Sequence, residues 1–143
     1  MMTTEQLRLS PVHDQLQMNI VRYKPGVAVV SMPLTDGIRG FYDGTIHGGM
    51  LATLADAACA SCLWGTYEFG PQFTVTTDIH VRYYRQPKSG PLIAEAKMVH
   101  RGKRLLSSEC TIVDGEERVL LRSTATFMLV DAPQNLEATA HIG

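Results

Sequence analysis

Gly44-Thr45-Ile46-His47-Gly48-Gly49-Met50-Leu51-Ala52-Thr53-Leu54-Ala55-Asp56 is the stretch on which the fold turns. From Gly48 to about Trp64, the apolar residues Met50, Leu51, Leu54, Ala55, Ala58, Cys62 and Leu63 recur at helical spacing. Small residues, namely Ala52, Ala57, Cys59, Ala60 and Ser61, fill most of the remaining positions. A helix with so little charge belongs at the centre of a fold, and small side chains let a sheet curl closely around it. Gly65 supplies the stop signal.

Outward from that helix the chain reads mostly as strand. Residues 5–15 are weakly helical in pattern and end at Ser10-Pro11. Leu16–Tyr23 and Val27–Leu34 form a hairpin about the turn Lys24-Pro25-Gly26, and Thr35–Thr45 is a loop. Phe73–Arg85 alternates, which puts Val75, Ile79, Val81 and Tyr83 on one face. Pro87–Pro91 is a loop. Leu92–His100 and Leu105–Val113 pair through Arg101-Gly102-Lys103, and Asp114-Gly115 turns the chain into a last strand, Arg118–Val130. The expectation is one α+β domain over residues 1–143, with its core at about 16–130 and a loose tail at 131–143. In it a curved antiparallel sheet wraps one long central helix. Such a sheet is open-edged, so two chains are expected to pair.

Composition narrows the function classes. At 45% hydrophobic and 19% charged, the chain can build a real core. Its net charge of -1 offers no basic face for nucleic acid. The first residues carry no basic segment followed by an apolar run, and no apolar stretch is long enough to span a bilayer, so a cytoplasmic protein is expected. Cys59-Ala-Ser-Cys62 spells C-x-x-C, but it falls inside the helical pattern, away from a helix N-terminus that would lower a thiol pKa. It reads as a pair of core-packing thiols. The five histidines lack the spacing of a zinc site, so no metal is expected.

The chemistry-bearing positions flank the start of the helix. Gly48-Gly49 either permits a tight turn or lets a ligand approach the first helical N–H groups, which have no intrahelical partner. With the helix dipole these amides would suit an oxyanion. Asp56 stands in the third turn, too far in to cap it. A carboxylate among Ala, Leu and Cys is either functional or paired with Arg39, Arg82 or Arg85. Gly48 and Asp56 are eight residues apart, so roughly 12 Å separates them along one helix axis. If both serve one site, that site lies between two subunits.

The Gly44–Asp56 segment resembles the signature of hot-dog-fold acyl-CoA thioesterases of the phenylacetate-degradation type. Asp78-Ile79-His80-Val81-Arg82-Tyr83-Tyr84-Arg85-Gln86-Pro87 resembles that family's long strand, and Arg101-Gly102-Lys103-Arg104 its basic hairpin. The resemblance covers roughly residues 16–130. It implies a hot-dog fold, a homodimer often paired into a dimer of dimers, and hydrolysis of acyl-CoA without a further cofactor. It implies that the Gly48 amide polarises the thioester carbonyl and that Asp56 of the partner subunit is general base or nucleophile. His47 and Gly49 would shape the site, and a strand hydroxyl, Thr76 or Thr77, would assist. Alternation puts Thr77 with Val75 and Ile79, so both threonines are carried. Arg85, Arg101, Lys103 and Arg104 would meet the CoA phosphates, although Arg101–Arg104 also reads as a solvated hairpin tip.

Two positions depart from the family pattern. Phe41 stands where relatives have an amide contacting substrate, with Tyr42 and Asp43 beside it. Ala60 stands where some have a hydroxyl. These departures keep two other functions in view: a non-catalytic acyl-CoA-binding module, and a hot-dog hydratase or dehydratase.

Overall fold

A computed structural model describes residues 10–133. The elements run α1 (Pro11–Gln15), β1 (Asn19–Lys24), β2 (Val27–Met32), α2 (Gly48–Ser61), β3 (Gln72–Tyr83), β4 (Leu92–Arg101), β5 (Leu105–Val113) and β6 (Val119–Asp131), with a 3₁₀ turn at Asp36–Ile38. Six strands form one antiparallel sheet in the order β1-β2-β4-β5-β6-β3. The sheet curls around α2, giving the α+β hot-dog architecture.

Helix α2 packs through Leu51, Leu54, Ala55, Ala58 and Cys59, each almost fully buried. They meet inward-facing residues of every long strand, among them Met32, Ala94, Ala96, Leu106, Ile112, Leu121 and Phe127. Burying a side chain of Leu or Phe size is worth about 1.5–3 kcal/mol, so this shared interior dominates the favourable energetics. The last turn of α2 runs out at Gly65, whose φ of +81 suits glycine best. Just before it the Tyr23 hydroxyl donates to the Trp64 carbonyl and ties the helix end to β1. Cys59, Cys62 and Cys110 are buried, free thiols. Burial pushes Cys62 up to about 12, which leaves it protonated and unreactive at neutral pH.

Two local readings change. Ser10-Pro11 opens a helix instead of ending one: Ser10 is the N-cap of α1 and Pro11 takes the first helical position, where its missing N–H costs nothing. Residues 5–9 of that reading, and 134–143 of the tail, lie outside the described residues.

The larger change is in β3. Its pairing with β6 slips between Thr76 and Asp78, so Thr77 is an extra residue. Thr76 pairs with buried Phe127, while Ile79, Val81 and Tyr83 pair with Ala125, Ser123 and Leu121 on the same inner face. Val75 pairs with exposed Met128 and faces outward. Strict alternation grouped Val75 with Ile79, Val81 and Tyr83; the bulge separates them.

Asp114-Gly115 is a turn, as expected, but Asp114 does more than turn the chain. Its fully enclosed carboxylate accepts from the Lys88, Glu116 and Arg118 amides at 3.0 Å and from Arg118 Nε at 3.1 Å. Burial pushes its pKa up, and these hydrogen bonds outweigh that and hold it below the usual carboxylate range.

Candidate active site

The start of α2 is held by backbone. The His47 N–H donates to the Ile38 carbonyl at 2.9 Å, and the Ile46 N–H donates to Gln86 Oε1 at 2.8 Å. His47 is the N-cap, and its Nδ1 accepts from the Gly49 N–H at 2.9 Å. So His47 caps the helix in the manner of a short polar side chain. A Cβ on Gly49 would lie 3.0 Å from the His47 ring, so any larger residue crowds that cap. The Met50 N–H bonds the His47 carbonyl at 3.0 Å. That leaves the Gly48 N–H without a protein acceptor among the described residues, at the positive end of a 14-residue helix. The Tyr83 hydroxyl donates to the Gly48 carbonyl at 2.6 Å, fixing this peptide from the strand side.

Asp56 is half-buried on the other half of the helix. Its Oδ1 accepts from Thr76 Oγ1 at 2.9 Å. No cation lies within ion-pair distance of it among the described residues: Arg39 pairs with Asp43 at 2.6 Å, and Arg82 and Arg85 pair with no carboxylate. Asp56 is therefore a carboxylate oriented by one hydroxyl and otherwise open. His13 of α1 stands near enough to feel it. Burial lowers the His13 pKa, with the Asp56 and Asp14 charges pulling the other way.

The bulge decides between the two threonines. Thr77 bonds the Thr126 carbonyl at 3.0 Å and Asp78 Oδ2 at 3.2 Å, away from Asp56. Thr76 meets the acid because the extra residue shifts it to the inner face.

Gly49, Ala52, Thr53, Asp56 and Ala60 share a stripe of α2 that the sheet leaves partly uncovered. The stripe borders β3, one of the two edge strands of the sheet. Asp56 is tied to β3 at Thr76 and Gly48 at Tyr83, so the two halves of the motif sit at opposite ends of one edge strand. The cations divide the same way. Arg85 follows β3 at the Tyr83 end. The turn carrying Arg101, Lys103 and Arg104 lies at the other end, where Leu105 and Val75 both pair with Met128. Arg101 Nε donates to the Thr66 carbonyl at 3.2 Å. Phe41 is 94% exposed, its ring edge-on to Tyr42, and Asp43 is occupied by Arg39, so Asp43 does not stand in for the amide that the resemblance implies at Phe41. Tyr83 is the residue that sequence reasoning undervalued. Its position on the inner face of β3 was legible, but its bond to Gly48 was not.

Among the described residues no group of three His, Cys, Asp or Glu side chains gathers to hold a metal, and no helix is long and apolar enough to cross a membrane.

Solved structures share this architecture. A thioesterase family protein from Silicibacter pomeroyi is 25% identical, with a TM-score of 0.81 over 86% of this chain and 91% of that one. A thioesterase from Haemophilus influenzae is 20% identical, with a TM-score of 0.80 over 94% of this chain and 95% of that one. The E. coli PaaI protein of the phenylacetic acid degradation operon is 23% identical, with a TM-score of 0.76 over 85% of each chain. The family model of the thioesterase superfamily matches residues 43–121, which include the α2 motif and all of β3. More than half of the sequence thus fits that model: the chain belongs to the thioesterase superfamily.

Proposed function

We propose that this chain hydrolyses acyl-CoA to a free acid and CoA, in a homodimer whose two active sites each combine Gly48 of one subunit with Asp56 of the other. The observation that carries this is the placement of an open amide and an open carboxylate at opposite ends of one edge strand, whose outer edge is unpaired among the described residues. Two β3 strands pairing antiparallel about a two-fold near Ile79–His80 bring the Thr76 end of each onto the Tyr83 end of the other. That pairing covers the small-residue stripe of α2 and brings Arg85 of one subunit toward the Arg101–Arg104 turn of its partner. The resulting cationic rim suits the phosphates of CoA. Further pairing of such dimers fits the family resemblance.

In this reading the Gly48 N–H donates to the thioester oxygen as negative charge builds on it. The partner's Asp56 takes a proton from water as the water oxygen bonds to the acyl carbon. The C–S bond then breaks, the sulfur leaves as thiolate, and the proton passes to it. Attack by Asp56 itself, through a mixed anhydride that water then opens, uses the same geometry. Thr76 orients the carboxylate in either case.

The test is thiol release from short, medium, long and aromatic acyl-CoAs by wild type and Asp56→Asn. Turnover by wild type and a loss of about 10²–10⁴-fold in the variant are expected, the range for a positioned acid or base. Equal rates would sink the role of Asp56. Phe41 supports one second reading, since a chain lacking the substrate-contacting amide could retain acyl-CoA without cleaving it. Tight binding with no turnover would establish that.

A further inference from the structure

The outer face of the sheet carries a second feature that the proposed reaction does not use. Side chains directly opposed across neighbouring strands share a face. The registers of β3, β6 and β5 therefore put Arg82, Arg122 and Thr111 in one outward row, and His80, Thr124 and Glu109 in the next. These rows, with Tyr84 at one end, line a cleft of about 340 Å³. That is the size of a small-molecule site. It lies on the opposite side of the sheet from α2 and from the Asp56–Thr76 pair.

Arg82 and Arg122 are exposed cross-strand neighbours of like charge, an arrangement that destabilises a sheet. No carboxylate comes within ion-pair distance of either among the described residues. Glu95, further along the same row, is already engaged by Arg22 at 3.3 Å and Lys97 at 3.6 Å. An anion between the two guanidiniums would offset the repulsion, and their forked N–H groups match the oxygens of a phosphate. Tyr84, 48% exposed, offers a ring for a planar group beside that phosphate. Glu109 in the neighbouring row repels further negative charge and so confines the phosphate to the arginine row.

We propose that this outer cleft binds a mononucleotide, its phosphate on Arg82 and Arg122 and its base on Tyr84. The ligand chemistry has two sources: a free nucleotide, or the nucleotide end of CoA. The proposal stands apart from the thioesterase reading, because binding is measured without turnover and should survive Asp56→Asn.

Calorimetric titration at low salt tests it, with AMP, inorganic phosphate and CoA as probes. One AMP per chain should bind, and Arg82→Gln and Arg122→Gln should each weaken it at least tenfold. Tyr84→Ala should weaken AMP but leave inorganic phosphate unchanged. Displacement of AMP by CoA would identify the CoA nucleotide as occupant, and simultaneous binding would identify a free nucleotide. No AMP binding to wild type, or equal binding to folded Arg82→Gln and Arg122→Gln, would overturn the proposal. Melting curves establish that these exposed variants fold.

Discussion

A shared active site makes a quantitative demand on mixed dimers. Gly48 is the first residue of α2, and its N–H has no protein acceptor among the described residues, so Gly48→Pro removes that N–H without breaking a hydrogen bond within the chain, and its Cβ meets Tyr83 at an ordinary 3.5 Å. Proline favours this helix position. The preceding His47, at φ -60 and ψ 125, already has the extended conformation that a following proline requires. Gly48→Pro should therefore fold. Loss of one oxyanion donor costs about 10²–10³-fold in kcat. Asp56→Asn removes the other half-site. Each variant alone should be nearly inactive. In a heterodimer, the Gly48→Pro chain supplies an intact Asp56 and the Asp56→Asn chain an intact Gly48, so one of the two sites is whole. Random assembly makes about half the dimers mixed, each with one working site, so about a quarter of wild-type activity should return. Co-expression with two affinity tags, followed by thiol release, measures it. If the mixture is no more active than the separate variants, the site lies within one chain and the cross-subunit reasoning fails.

Three other outcomes follow from the geometry. Thr76→Val should lower kcat roughly tenfold, because a hydrogen bond to a charged group is worth about 1.5–3 kcal/mol and this half-buried one belongs at the low end. Thr77→Val, whose hydroxyl bonds Thr126 and Asp78, should leave turnover unchanged; steady-state kinetics showing the reverse order would discredit the bulge assignment. Gly49→Ala should leave the melting temperature nearly unchanged but cut kcat/KM at least tenfold. It trades a cap bond of about 1 kcal/mol for a similar gain in helix propensity, while displacing His47. Asp114→Asn should lower the melting temperature at pH 7. The folded-state pKa of Asp114 is depressed, so its stabilisation is full above the ordinary range near pH 4 and fades as pH falls through the folded value. Melts from pH 7 to pH 2 should show the gap between wild type and variant closing in acid.

Helix α2 was plain in the sequence because periodicity, low charge and a closing glycine agreed. The strands were legible to within a few residues because alternation and turn chemistry marked their ends. The facing of Val75 and the choice of Thr76 over Thr77 were not. One extra residue reverses facing at constant composition, and no residue type marks this bulge. Asp114 read as a turn residue, and only the fold shows that Lys88, Glu116 and Arg118 converge on it. The arginine row of the outer face was equally hidden. Arg82 and Arg122 are forty residues apart and become neighbours only through the β3–β6 register.

The same bulge that misleads a reading by alternation is what makes the edge strand serve the site. Without it, Thr76 and Tyr83 would face opposite sides of the sheet, since they are seven residues apart and strand facing repeats every two. With one residue inserted between them, both point at α2, one holding the carboxylate and the other the Gly48 peptide. A single strand thereby fixes both half-sites while presenting its other edge to a partner. The distance that keeps them apart on one helix is what two antiparallel copies remove. Deleting Thr77 should therefore keep both facing the helix, since six residues then separate them in a regular strand, whereas inserting one residue between Ile79 and Val81 should turn one of them away and abolish thiol release.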